Sequence, residues 1–459
     1  MSAPTTASFR DRPVPSWYDD AKLGIFVHWG IYSVPAWAPN SGTIWGEGPD
    51  DAKVPNFATN PYAEWYQNTM GIEGSATQRH HARTYGANHP YRRFAEEFNR
   101  EIASWRPAEW AALFSEAGAG YVVLTTKHHD GFLLWPSANR NPKAPDFIAS
   151  RDVVGELSDA VRTRGLRMGL YYSGGIDWLT HEQVIAGPED FVRAVPPGEE
   201  YQDYATRHWK ELIDRYAPCC MWNDIVFPGP VEHIEDLFGY YYERVPDGVV
   251  NDRWREALGP QGLEPSLPHD VRTPEYTIVT DIARKKWESV RGIGNSFGFN
   301  RNERPGQYLS ASQLVHSFID IVSKNGNLLI NVGPRADGSI PEIQAQRLRS
   351  LGSWLAEAGE AIYGTRPWQR SEGRTTGGNP VRFTARRDTL YAIVFDAAPG
   401  SELALEGLGE GAPESVELLG GDAPLQWSRE GANLRVELPT QLPTEHAVAL
   451  RLRERPLTT

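Results

Sequence analysis

Met221-Trp222-Asn223-Asp224 decides how this chain is read. Residues 219–224 have the character of a buried strand that stops on a carboxylate. Residues 202–216 ahead of it are helical in pattern, and Pro228-Gly229-Pro230 behind it forbids further regular structure. A strand that ends on an acid and opens into a Gly/Pro loop is where a barrel enzyme places a catalytic group. Other strand candidates end in the same way, at Phe26-Val27-His28-Trp29-Gly30, His128-His129-Asp130-Gly131, Tyr171-Tyr172-Ser173-Gly174-Gly175 and Asn251-Asp252-Arg253-Trp254. One such ending means little, because a lone buried His is usually a hydrogen-bonded structural residue. Repetition along one rim points to an enzyme.

From about residue 20 to 360, short β-rich runs alternate with helical ones. The strand candidates are 23–30, Tyr121–Lys127, Arg167–Ser173, 219–224, 249–251, 276–280, the Gly-rich 294–300, and 327–332. Helices are expected at 107–117, Val153–Thr163, 202–216, 310–324 and 341–361. Ser310 and Gln313 have capping-box spacing, and Asn325-Gly326 supplies a left-handed stop. Repeated strand–helix units favour an α/β fold, and eight strands favour a (β/α)8-like barrel. An open doubly wound sheet is the alternative, but Gly292-Ile293-Gly294 is too slight a dinucleotide signal. After residue 365, short runs separated by Gly, Pro, Asn and Asp have the rhythm of a C-terminal antiparallel β-sandwich. The expected division is 1–364 for the barrel and 365–459 for the sandwich. Residues 38–95 form a long aromatic insertion after the first strand, of the kind that helps build a barrel active site.

Composition sets limits. The 459 residues carry 46 basic and 59 acidic groups, a formal charge of −13, which argues against a nucleic-acid or anionic-membrane binder. No apolar run is long enough to span a bilayer, and MSAPTTASFRDRPVP has no apolar signal core, so a cytoplasmic location is expected. Cys219 and Cys220 are adjacent in a strand and point to opposite faces, which excludes a disulfide framework; both read as buried apolar residues. The sandwich offers a surface for a homo-oligomer.

The polar strand ends suit a sugar. Hydroxyls need fixed donors and acceptors, and the apolar ring faces need Trp and Phe. Glycosidic cleavage needs two carboxyls, one to attack or activate water and one to protonate the leaving oxygen. Asp224 fits the first role. Glu275, Asp270, Asp281 and Glu303 remain open for the second. Asp130 and Asp177 sit in turns and read as structural. A metal site built on His28 and His128-His129-Asp130 is the rival, but no metal-binding spacing is present, so neither metal nor cofactor is expected. His80-His81 lies in the insertion and reads as solvated.

Further motifs accompany these in order: Trp17-Tyr18, Lys22-Leu23-Gly24-Ile25, Ser33-Val34-Pro35-Ala36-Trp37, Glu64-Trp65-Tyr66, Thr126-Lys127-His128-His129-Asp130-Gly131-Phe132, Ile176-Asp177-Trp178, Thr273-Pro274-Glu275-Tyr276, Ser296-Phe297-Gly298-Phe299-Asn300 and Asn327-Leu328-Leu329-Ile330-Asn331-Val332-Gly333-Pro334. Together they resemble the retaining α-L-fucosidases, glycoside hydrolase family 29, collinearly through the whole catalytic part. The resemblance implies a barrel with a C-terminal sandwich and release of terminal α-L-fucose from a fucosylated oligosaccharide or glycoconjugate, with retention by two displacements. It implies Asp224 as nucleophile and Glu275 as acid/base, with Pro274 a local departure that biases Thr273 to extended geometry. It implies contacts to the sugar from His28, Glu64, Trp65, His128, His129, Tyr171, Trp222 and Arg253, and an apolar pocket for the C5 methyl from Phe26, Tyr62 and Phe297. Arg253 is expected to favour the ionised form of a nearby carboxylate. A fucose-binding lectin-like protein and a metal-dependent barrel hydrolase are the alternatives.

Overall fold

The computed structural model describes residues 12–41, 56–259, 262–277, 279–409 and 413–453. Five parallel strands come first, β1 (Leu23–Val27), β2 (Tyr121–Lys127), β3 (Arg167–Ser173), β4 (Cys220–Asp224) and the short β5 (Val249–Val250). A hairpin of β6 (Glu256–Gly259) and β7 (Gly262–Pro265) follows, and then β8 (Trp287–Gly292) and β9 (Gly326–Val332). The parallel sheet runs in the order β5-β4-β3-β2-β1-β9-β8. Its two edges are joined by residues 271–275, which make single bridges to both sides, Asn251 to Val271 on one and Arg272 to Trp287 and Glu275 to Val290 on the other. This segment stands where an eighth strand would. Pro274 has no N–H to give to a ladder, and Tyr276 has φ +50°, so the backbone cannot continue as a strand.

Every residue of β2 and β9 is buried, because both faces are covered. Alternate side chains diverge. Phe26, Val123, Tyr171, Trp222, Val290 and Leu329 fill the barrel interior. Ile25, Val122, Leu170, Met221 and Leu328 pack outward into the core shared with the helices. Those helices include Pro107–Glu116, Val153–Thr163, Glu199–Tyr216, Val231–Arg244, Ala311–Ser323 and Glu342–Ala358. Ser310 and Gln313 form the expected capping box, and Asn325 takes φ +70°.

Two strand expectations fail. Residues 294–300 form a loop, whose Asn295 and Ser296 amides donate to the Glu303 carboxylate at 2.6 and 2.7 Å. The strand is Trp287–Gly292, obscured in sequence because Glu288 looks out of place in a core. There it is satisfied by three donors, from Tyr18 at 2.7 Å, Tyr121 at 2.5 Å and Trp222 at 3.1 Å. Of residues 276–280, residue 278 lies outside the described residues and the others are not strand.

The insertion expected at 38–95 is described except for 42–55, which lie outside the described residues; it contains the helices Tyr66–Gly71 and Ala76–Thr84. His80-His81 is not a solvated pair. His81 is buried between the Tyr66 hydroxyl and the His89 carbonyl, and His80 stacks on Trp37 at 4.3 Å. Helix Ala76–Thr84 turns one ring inward and lays the other on an indole.

Beyond the barrel lie β10 (Arg366–Arg374), β11 (Pro380–Arg386), β12 (Thr389–Phe395), β13 (Glu402–Leu405), β14 (Ser415–Leu418), β15 (Trp427–Glu430), β16 (Asn433–Glu437) and β17 (Ala447–Arg453). They form antiparallel sheets of order β10-β11-β12-β17-β14 and β13-β16-β15. Val381, Phe383, Val394, Leu434, Val436 and Leu450 fill the space between the sheets. On the opposite face of the larger sheet, Tyr391, Ile393, Phe395, Ala447 and Ala449 join the barrel's core. The sandwich is thus docked on the barrel's outer helices, with the Trp354 indole donating to the Ala447 carbonyl at 2.9 Å. Cys219 and Cys220 are free and buried. Among the described residues, no helix is long and apolar enough to cross a membrane.

Candidate active site

The thirteen site residues expected from the sequence all line one cavity of about 490 Å³ at the C-terminal ends of the barrel strands. Asp224 ends β4 and Tyr171 lies in β3, so the strand register itself sets them side by side; Ser173 pairs with Asp224, and Tyr171 with Trp222. Glu275 sits in the segment that replaces the missing strand. The cavity also takes in Phe57, Phe191, Ile225, Tyr276, Val290, Arg291 and Asn295, which sequence reasoning did not select.

The two carboxyls meet on one guanidinium. Arg253 donates from Nη1 to Asp224 Oδ1 and from Nη2 to Glu275 Oε2, each at 3.1 Å. Arg253 is itself fixed by Thr273, with Nη2 on the carbonyl at 2.9 Å and Nε near Oγ1 at 3.2 Å, and it lies over the Trp222 ring at 4.7 Å. The Tyr171 hydroxyl donates to Asp224 Oδ2 at 2.9 Å. Burial pushes the Asp224 carboxyl up, but the Arg253 charge, His129 and the Tyr171 hydrogen bond outweigh it and hold Asp224 below the ordinary carboxylate range. Glu275 goes the other way. Burial raises it and the neighbouring Asp224 charge adds to the rise, while Arg253 and the Tyr62 hydroxyl offset only part. The two proton affinities are thereby driven apart, with Glu275 holding its proton more tightly than Asp224, the condition for acid and base roles at one site.

Three histidines line the same cavity. Asn331 Nδ2 donates to the Phe297 carbonyl at 2.7 Å, which leaves its Oδ1 to accept from His28 Nδ1 at 2.7 Å. Ser173 Oγ donates to the Ile176 carbonyl at 2.8 Å, so His129 Nδ1 donates to it at 2.7 Å. Both networks assign the Nδ1–H tautomer and leave Nε2 as an acceptor. Burial lowers the pKa of His28 to about 4 and of His129 to about 3, so both rings are neutral near pH 7. His128, whose Nδ1 is buried with no partner among the described residues, stacks against Tyr171 at 5.7 Å. Glu64 accepts from the Gly298 amide at 2.8 Å, and burial raises it to about 7. Trp65 closes one side against His129, its ring 5.1 Å away. Phe26, Tyr62 and Phe297 give an apolar corner, with Tyr62 and Phe297 edge to face at 5.6 Å. Neutral imidazole acceptors, a protonatable acid and an apolar corner suit a deoxy-sugar.

Supporting residues escaped the sequence reading. After Asp224, Ile225 and Val226 both take left-handed backbone, at φ +51° and +58°, which β-branched residues rarely adopt. Asn223 Nδ2 holds this turn, donating to the Val226 carbonyl at 2.7 Å and the Arg253 carbonyl at 2.9 Å. Gly174-Gly175 lets it pass, since a Cβ on Gly175 would lie 1.6 Å from the Ile225 oxygen. The doubled glycine after β3 was the available signal. Asp177 is structural, paired with Lys127 at 3.0 Å where both side chains are fully buried. Asp130 caps the Phe132 amide at 3.0 Å. Asp270 accepts from Arg12 and Tyr242, each at 2.8 Å, and Glu303 binds its own loop, so neither is free for chemistry. Asp281 is exposed and does not line the cavity. Among the described residues, no three His, Cys, Asp or Glu converge as a metal set.

Residues 1–360 match the family model described as alpha-L-fucosidase, and residues 375–453 match the alpha-L-fucosidase C-terminal domain. An alpha-L-fucosidase of Branchiostoma floridae is 34% identical, covering 98% of this chain and 95% of its own. The tissue alpha-L-fucosidase of Homo sapiens is 31% identical, over 98% and 91% respectively. Among solved structures, the Thermotoga maritima alpha-fucosidase in complex with fucose superposes with a TM-score of 0.86 at 42% identity, over 98% of this chain and 100% of that one. The same enzyme with a mechanism-based inhibitor gives 0.87 at 42% identity, over 99% and 100%.

Proposed function

The chain belongs to the α-L-fucosidase family, the glycoside hydrolases of family 29, and from that membership we propose that it releases terminal α-L-fucose from fucosylated glycans with Asp224 and Glu275 as its reacting pair. The observation that carries the assignment is the single Arg253 guanidinium shared by two carboxyls whose proton affinities are driven apart. Retaining glycosidases hold their carboxyls about 5–5.5 Å apart, and two acids on one fork favour such a compact arrangement over the wider spacing of inverting enzymes.

In the first step, ionised Asp224 attacks C1 of the bound fucosyl group while Glu275 delivers its proton to the leaving oxygen. The C1–O bond breaks and an Asp224 ester forms. Esterification removes the Asp224 charge, which is one of the causes of the raised proton affinity of Glu275. Glu275 then keeps Arg253 and the Tyr62 hydroxyl without the opposing Asp224 charge and is stabilised as a carboxylate, ready to take a proton from water. Water attacks C1, the ester breaks, and α-L-fucose leaves with its configuration retained. His28, His129 and Glu64 hold hydroxyls, and the corner of Phe26, Tyr62 and Phe297 takes the C5 methyl. A methyl gains only about 1–3 kcal/mol from such a wall, so the hydrogen-bonding groups carry most of the selectivity. The boundary of the catalytic part is placed at 364/365, ahead of β10.

The test is Asp224→Gly assayed on an aryl α-L-fucoside with and without azide, with the products followed by NMR. The expected result is loss of turnover, recovery with azide, and a fucosyl azide of inverted configuration, while the wild type releases α-L-fucose first. A correctly folded variant that azide cannot rescue would remove Asp224 from the role. A lectin-like protein would release nothing from the same substrate, and a metal-dependent hydrolase would lose activity to a chelator.

A further inference from the structure

The cavity wall carries a second guanidinium that the proposed chemistry does not use. Arg291 follows Val290 in β8, and Val290 bridges to Glu275, so Arg291 and Tyr276 are the next residues along two paired segments. Its Cζ lies 5.6 Å from the Tyr276 ring centroid. That ring is clamped: the Tyr276 hydroxyl accepts from the Gly292 amide at 3.1 Å and donates to the Asn295 carbonyl at 3.2 Å. Arg291 Nε also reaches the Gly292 carbonyl at 3.4 Å. Among the described residues, Arg291 forms no ion pair, whereas Arg253 is committed to two carboxylates. A half-buried guanidinium held against an aromatic face, with Nη1 and Nη2 uncommitted among the described residues, is preorganised for a planar anion. Its place is set by Glu275. An acid that protonates the leaving oxygen faces the leaving group, and Arg291 stands one residue beyond it.

We propose that Arg291, backed by Tyr276, forms a leaving-group subsite that accepts an anion, so that the chain favours fucosides whose aglycone bears a carboxylate or sulfate close to the scissile bond. This rests on the fucosidase reading above. The atoms and bonds of the reaction are unchanged; the subsite acts on which leaving group is held.

The probes are the 3- and 4-carboxyphenyl α-L-fucosides and their methyl esters, which differ in charge while keeping the same ring and linkage. For the wild type, Arg291→Gln and Arg291→Lys, the readout is the acid-to-ester ratio of kcat/KM at low and high salt. The expected result is a ratio that falls about five- to tenfold in Arg291→Gln, the order of one partly buried charge-assisted contact. It should be partly kept in Arg291→Lys and should shrink with salt in the wild type. A ratio that Arg291→Gln leaves unmoved in both positional series overturns the subsite, even if both rates fall together. Cleavage of neither ester by the wild type removes the fucosidase reading and the subsite with it.

Discussion

Gly175→Ala tests whether the turn beside the nucleophile is as tightly set as its geometry implies. A Cβ added at Gly175 would lie 1.6 Å from the Ile225 carbonyl oxygen and 2.8 Å from the carbonyl carbon. The obstacle is backbone one residue past Asp224, not the free end of a side chain. To reach even 3.0 Å the oxygen must retreat by about 1.4 Å. Ile225 is already at φ +51° and its neighbour's carbonyl is tied to Asn223, so the turn has little room to absorb the move. Overpacking of this kind costs about 1–3 kcal/mol of stability. The larger effect is on chemistry, since a displacement of about 1 Å at a reacting group costs roughly 10²-fold. The expected outcome is a kcat on an aryl α-L-fucoside reduced about 10²-fold in a protein that still folds, followed by circular dichroism and melting. Gly165→Ala is the control. Gly165 has φ +78° and nothing within 4 Å of its would-be Cβ, so it should cost about 1–2 kcal/mol of stability with kcat unchanged. Wild-type kcat in folded Gly175→Ala would refute the claim that this turn positions Asp224.

Three further outcomes follow from the same geometry. Glu275→Ala should lose about 10²–10⁴-fold on fucosylated oligosaccharides but far less on a dinitrophenyl fucoside, whose leaving group needs no proton; equal losses on both would assign the acid elsewhere. The pH–rate profile should be bell-shaped, with an acidic limb below the ordinary Asp range from Asp224 and an alkaline limb above the ordinary Glu range from Glu275. Glu64, raised by burial from 4.5 to about 7, should add a change in KM near pH 7 that disappears in Glu64→Gln. Its sign for stability is set as well: the folded state holds that proton more tightly, so stability falls as pH rises from 4.5 to about 7, measurable as a melting shift absent from the variant. Lys127→Met should cost about 3–5 kcal/mol in denaturant unfolding, because it strands Asp177 in a fully buried site, and Lys127→Met with Asp177→Leu should cost less.

The catalytic strand ends were legible because burial writes itself into sequence. Runs such as Tyr121–Lys127 and Arg167–Ser173 carry apolar side chains on both faces through their middle, and the residues just past them lie on one rim in any parallel barrel. Glu275 could be taken only from family resemblance, since by composition it is one of several acids in a loop. β8 was hidden for a related reason: a buried Glu288 contradicts the apolar pattern until its three hydrogen-bond donors, from residues 18, 121 and 222, are in view. The same holds for His80-His81, where helix packing decided which ring went inside.

What the sequence determined by itself is the alternation of strand and helix, the capped helix at Ala311–Ser323, the short-strand C-terminal unit and the identity of the rim residues, all set by local propensity and the period of apolar side chains. Tertiary structure alone decided how the barrel closes, through residues 271–275 instead of a regular strand, and which carboxyl holds its proton more tightly. Proton affinity is not a property of a residue type. Asp224 and Glu275 differ because one guanidinium, a tyrosine hydroxyl and unequal desolvation reach them from segments far apart in the chain, and such distances exist only after folding.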